Sequence, residues 1–167
     1  MRRQRDPLRM ARGSTYQGQS AGTYTTQGVY NDSTGAELIV VWSMVLAAGS
    51  GSTLAASGVR QGPLANLVGH GTSLLTGQAA RVGTMCYESL AAVPASDGTY
   101  AEFANTSTAF TGFRHPIAVL QPGWTFLIAA LTQNSDIRTS LFWEVIHYED
   151  LLESVHCPIC DVVVTVQ

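Results

Sequence analysis

The residues with the sharpest chemical potential lie near the C-terminus, in His156-Cys157-Pro158-Ile159-Cys160. Two cysteines separated by two residues clamp a metal ion from a single turn, and His156, His147 or Cys86 would complete a tetrahedron. The same spacing serves a redox pair. A structural zinc site normally needs a second ligand pair at matching spacing, and a thioredoxin-type motif needs a strand–helix–strand setting. The sequence offers neither. Plain structural cysteines in a turn are therefore the favoured reading, ahead of a metal site and then a disulfide, and no cofactor is expected.

Three other groupings invite a catalytic reading. Gly69-His70-Gly71-Thr72-Ser73 has the look of an active-site loop. It lacks a nucleophile elbow and an acid nearby in sequence, so an exposed or interface histidine is expected there. Ala48-Gly49-Ser50-Gly51-Ser52-Thr53 has the composition of a phosphate-cradling loop, but no helix pattern follows to supply the N-terminal amides. Glu88, Glu102 and Glu144 are candidates for a carboxylate pair that sequence alone does not bring together. Glu144, beside Trp143 in an apolar stretch, is expected to pair with an arginine such as Arg138 or Arg114. No catalytic set emerges, and the expectation is a non-enzymatic protein.

Charge narrows the field further. All nine basic residues are arginine, and without a single lysine the chain has no Walker A loop, Schiff-base lysine or Ser-Lys dyad. Residues 1–12 set Arg2, Arg3, Arg5, Arg9 and Arg12 against Asp6, a charge of +4; the remainder sets four arginines against eleven acids, −7. A basic segment on an acidic body points to an acidic neighbour, including another copy of the chain. Nucleic acid is the weaker reading, because the body would repel phosphates. Only 13% of residues are charged, so the surface is rich in Ser, Thr, Gly, Ala and Gln and suited to burial against neighbours. Three cysteines make no disulfide framework, the longest apolar run is far shorter than the roughly 20 residues of a membrane-crossing helix, and no apolar stretch behind the first arginines marks a signal peptide.

These features must be positioned by a body whose patterning is that of strands. Residues 1–30 hold the arginines, then a Gly/Ser/Thr/Gln stretch with Tyr16, Tyr24 and Tyr30 and little that is aliphatic, and are expected to form an extended arm. The body, residues 31–167, opens with a polar turn and a continuous apolar run at 37–46 that reads as a strand covered on both faces. Residues 49–80 are Gly/Ser-rich and read as a long loop or short irregular strands. Strand patterns then recur at 82–90, 100–103, 117–120, 124–131, 137–146 and 162–166. In 137–146, Ile137, Thr139, Leu141, Trp143 and Val145 share one face. Only residues 146–155 carry helical spacing, through Tyr148, Leu151, Leu152 and Val155. The sum is an all-β domain, a β-sandwich or barrel.

The polar turn leading to Trp42, the glycine-rich middle, Pro122-Gly123-Trp124 and Leu141-Phe142-Trp143-Glu144 resemble small β-sandwich proteins of tailed-bacteriophage virions, over roughly residues 29–146. That group includes capsid cement or decoration proteins and tail- or fibre-associated subunits. The resemblance implies a jelly-roll-like, often trimeric structural protein of the virion, assembled in the host cytoplasm. Its partners would be the major capsid protein and copies of itself. The arm, through its five arginines and through Tyr16, Tyr24 and Tyr30, would reach along a neighbour, so that removing residues 1–28 would abolish attachment and spare the body. A tail subunit reading a glycan through exposed loops is the alternative.

Overall fold

The computed structural model describes residues 9–17, 21–48, 53–92, 98–105, 108–112 and 116–149. Eleven strands follow one another: β1 (Met10–Gln17), β2 (Tyr24–Tyr30), β3 (Glu37–Ala48), β4 (Thr53–Gln61), β5 (Asn66–Ser73), β6 (Ala79–Leu90), β7 (Gly98–Asn105), β8 (Thr108–Gly112), β9 (Ala118–Leu120), β10 (Trp124–Ala130) and β11 (Ile137–His147). They form one sheet in the order β7-β4-β10-β2-β6-β5-β1-β11-β3-β8, with β9 also on β3, and every pairing is antiparallel.

The sheet is curled, and chain connectivity shows why it must be. The strands β7 and β8 stand at opposite ends of the ladder, yet only two residues separate Asn105 from Thr108. Three peptide steps reach at most about 11 Å. The two ends of the sheet therefore approach one another at that corner, and one face becomes an interior.

That interior is the main core. Ile39, Val41, Met44 and Leu46 of β3 enter it, with Phe126, Ile128 and Ala130 of β10, Ile137, Leu141 and Trp143 of β11, and Val29, Val82 and Met85 from β2 and β6. The shift from odd to even inward positions along β3 comes from a bulge at Trp42, where Val41 and Ser43 pair with the adjacent residues Trp143 and Phe142. In β11 the expected face is the buried one: Ile137, Thr139, Leu141 and Trp143 are covered, and Arg138 on the other side is exposed. On the outside of β10, Leu127 and Ala129 join Cys86 and Leu64, so this strand is dry on both faces.

The sequence expectation for residues 1–30 needs correction. Met10–Gln17 and Tyr24–Tyr30 are not an arm but integral strands: β1 pairs with β11 along its whole length, and β2 lies between β10 and β6. Their polar composition is compatible with burial because the side chains satisfy one another. Gln27 Oε1 accepts from Thr15 Oγ1 at 2.8 Å and from Thr139 Oγ1 at 2.6 Å, while Gln27 Nε2 donates to the Ile137 carbonyl at 2.6 Å. This polar crossbar joins β1 and β11 to β2 across the interior. Residues 1–8 lie outside the described residues, as do the strand expected at 162–166 and most of the helical pattern at 146–155, whose first two residues close β11.

The glycine-rich middle is also strand. Of the two expectations, the loop gives way to strands: most of residues 53–73 form β4 and β5, and Gly71 of this region meets a buried ring. The Trp143 indole lies against Gly71 of β5 and Gly83 of β6, with Gly13 of β1 at its edge, and its N–H donates to the Val82 carbonyl at 3.2 Å. A Cβ on Gly71 would overlap the Trp143 ring, and one on Gly83, which also has a φ of +110°, would come within 2.7 Å of Nε1. Gly71→Ala is expected to destabilise the fold by about 1–3 kcal/mol through overpacking. Gly35→Ala, whose nearest neighbour would be Ser33 Oγ at 3.9 Å, should change stability by less than about 0.5 kcal/mol. Urea unfolding of the two variants measures the contrast.

Candidate functional site

Five strand ends converge at one edge of the molecule. The register sets Met10 of β1 opposite Glu144 of β11, His147 of β11 opposite Glu37 of β3, Ala11 opposite Ser73 of β5, and Thr72 opposite Ala79 of β6. Between them is a cleft of about 330 Å³. Its apolar lining includes Met10, Ala11, Ala80 and Val145; its polar lining is Arg9, Arg81, His147, Glu37, Ser73 and Thr76.

Glu37 is 8% exposed, and its burial is compensated locally. Arg81 Nε lies 3.3 Å from Glu37 Oε1, and Ser33 Oγ donates to Oε2 at 3.3 Å. The cleft thus presents two guanidiniums and an imidazole against one carboxylate, on a body whose overall charge is negative. The turn between Ser73 and Thr76 carries Leu74 and Leu75, 46% and 57% exposed, and Tyr148 just past His147 is 57% exposed. Exposed apolar side chains beside a cationic cleft have the make-up of a protein-contact surface.

The expected partner-binding residues are distributed differently. Arg9 lines the cleft and Arg12 is exposed on β1. Tyr16 is exposed, but the Arg138 guanidinium stacks over its ring at 4.6 Å and its hydroxyl points to Asp136 Oδ2 at 3.5 Å. Tyr24 is half-buried in β2, and Tyr30 packs on the chain's own cluster of Leu64, Cys86, Leu127 and Ala129. Arg2, Arg3 and Arg5 lie outside the described residues, and so do His156, Cys157 and Cys160. Among the described residues no group of three His, Cys, Asp or Glu side chains is placed to hold a metal.

Of the catalytic-looking groupings, His70, Glu88 and Glu144 have described partners, and residues 49–52 of the Gly/Ser run lie outside the described residues. His70 is exposed in β5, and it does have an acid: its Nε2 lies 3.4 Å from Asp32 Oδ2, an acid remote in sequence. The same carboxylate accepts from Gly83 N at 2.9 Å and Thr84 Oγ1 at 2.6 Å, which pins the β2–β3 connection to β6. Glu144 accepts from the Trp42 indole at 3.2 Å, and Arg138, one of its expected partners, lies over Tyr16 instead. Arg114 and the Glu102 side chain fall outside what is described.

Sequence reading missed the pairing of Arg60 with Glu88. Arg60 forks onto both oxygens, Nη1 to Oε1 at 2.8 Å and Nη2 to Oε2 at 3.1 Å, and Nη2 also reaches the Pro63 carbonyl at 3.2 Å. Ala65 N donates to Glu88 Oε2 at 3.3 Å. The clamp closes the β4–β5 connection so that Leu64 seals the outside of β10 at 1% exposure. The only available signal was a lone arginine before a Pro-Leu turn.

No protein-family model, curated protein or solved structure matches this chain.

Two outcomes follow from the clamp and the cluster under it. Glu88→Ala should cost about 1.5–3 kcal/mol, because it removes charge-assisted hydrogen bonds from a buried position. Amide exchange at Leu64 and Ala65 should accelerate more than at Ile128. Burial pushes the Cys86 thiol up to about 11. The folded protein then keeps a proton that the unfolded chain sheds above pH 9, so this contribution to stability is intact below pH 9 and is lost as pH rises through 11. Thiol-disulfide reagents at pH 8 should leave Cys86 unmodified until denaturant is added, as peptide mapping would show.

Proposed function

We propose that this chain is a non-enzymatic structural protein of a tailed-phage virion, a cement or decoration subunit with a jelly-roll-like β-sandwich that binds over joints between capsid subunits. The observation that carries the reading is the cationic cleft flanked by Leu74, Leu75 and Tyr148, set on an acidic, charge-poor body. A joint between subunits offers extended acidic segments and shallow apolar relief, and this edge of the molecule has the complementary chemistry. The all-β curled sheet supports the proposal as a rigid platform with short connections. Residues 1–8, with Arg2, Arg3 and Arg5, precede Arg9 in the sequence and carry further positive charge.

The placement of β1 and β2 changes the test that the sequence alone suggests. Removing residues 1–28 would take away β1 and most of β2 and destroy the body. The useful variants are deletion of residues 1–8 and the double charge reversal Arg9→Glu/Arg81→Glu. Co-sedimentation with particles of the encoding phage that lack the protein is the measurement. The charge reversal should weaken attachment by about tenfold or more, with steep salt dependence in the parent protein. Attachment unchanged in both variants would defeat the proposal, and localisation to the tail would transfer the chain to the receptor-binding reading.

A further inference from the structure

The strand β5 is an inner strand over only part of its length. Its C-terminal end is joined to β1, Ser73 with Ala11 and Thr72 with Arg12, and Leu74 N donates to the Met10 carbonyl at 2.9 Å. There the ladder stops. Gly13 of β1 lies against Met85 and the rim of the Trp143 ring, and Thr15 bonds to Gln27 of β2. The rest of β1 therefore turns across the interior instead of running beside β5. Residues 66–70 pair with β6 on one side, and among the described residues no strand bonds to their other edge.

That edge is open to solvent. Asn66, Leu67, Val68, Gly69 and His70 are all exposed with the whole chain in place. A glycine has only backbone to expose, so at Gly69 it is the main chain that is bare, and a Cβ there would meet nothing within 4 Å. Leu67 and Val68 are each 58% exposed. Leu67 sits opposite Cys86 and so carries the apolar character of the outward Leu64, Cys86 and Leu127 cluster to the rim of the sheet.

Folded proteins keep such edges apart with charged side chains, proline or bulges. Residues 66–70 contain no Asp, Glu, Lys, Arg or Pro. The register shift at Val68 is the one such device in this stretch, and its extra residue is itself apolar.

We propose that the open edge of β5 pairs with the same edge of a second copy of this chain, about a two-fold axis, to make a sheet continuous across two molecules. An axis normal to the sheet sets identical strands antiparallel, the sense of every pairing in the fold, and each backbone bond is then made twice. Charge selects this occupant and this place. A charged peptide finds no counter-charge here, whereas a neutral apolar edge matches itself. Residues 13–167 carry −7, so two copies repel over much of their surface and meet best where the charge is absent. Five residues of strand span about 17 Å, a small contact, so the dimer is weak and transient, with a dissociation constant on the order of 100 µM. It lies at the end of β5 remote from the cleft at Ser73, and the two surfaces act independently.

Sedimentation equilibrium of the full chain up to about 1 mM should show reversible dimerisation. Val68→Lys should raise the dissociation constant about tenfold or more, by setting like charges against each other across the axis. A photo-crosslinking amino acid in place of Leu67, in a mixture of isotopically light and heavy chains, locates the contact. Crosslinks between chains that end within residues 66–70 are expected. A chain that stays monomeric throughout overturns the proposal and leaves the edge to a strand of another protein. A dimer that folded Val68→Lys does not weaken, or crosslinks between chains that land elsewhere, overturn it too. If Val68→Lys does not fold, the crosslink pattern alone decides.

Discussion

The fold depends on a flat ring lying against bare backbone. Trp143 is fully buried, and the surface it presses on is made by Gly71 and Gly83, with Gly13 at its rim. These glycines come from three successive strands in the sheet, β1, β5 and β6, while the tryptophan comes from β11. The indole therefore reaches from β11 past β1 to β5 and β6 and packs these four neighbouring strands together on the inner face of the curled sheet. Its single polar atom is satisfied by the Val82 carbonyl, so the contact carries no unpaired group into the interior. The Gln27 crossbar completes the closure by tying the Thr15 and Thr139 hydroxyls of the neighbouring strands to β2.

This constraint explains which strands could be read from sequence. The expectations near β3, β6, β10 and β11 rest on apolar runs and alternation, and the structure places strands there, extended by a few residues at their ends. The strands β1, β2, β4 and β5 carry mostly Gly, Ser, Thr, Gln and Ala, which signal loops when they occur in isolation. Here small residues are required because large ones arrive from across the sheet: Trp143 over β5 and β6, Met85 against Gly13. Only knowledge of the partner strand distinguishes a glycine that admits a ring from one that turns the chain.

Legibility of the candidate site was divided in the same way. The arginine-rich start of the chain was visible as a charge asymmetry, and Arg9 does line the cleft. Arg81, Glu37 and His147 join it through the register of β6, β3 and β11, a relation that local spacing does not encode. Asp32 and His70, and Arg60 and Glu88, are likewise pairs made by the sheet. In each case a residue that looks chemical in sequence serves to fasten a connection, which is how a charge-poor protein uses the few charges it has.

The pairing of β1 with β11 bears on the birth of the molecule. Thr15 and Thr139 meet across 124 residues of sequence. At synthesis rates of about 5–20 residues per second, the first strand waits some 6–25 s for its partner to leave the ribosome. During that interval the β11-facing edge of β1 offers hydrogen-bonding groups with no ladder to join, and the slot for Trp143 stands open. A chain that stops before β11 lacks the ring that packs on Gly71 and Gly83, so a prematurely terminated product lacks the means to complete the fold. The topology thus acts as a completeness check: only a chain translated at least through β11 acquires the surface that neighbours would recognise.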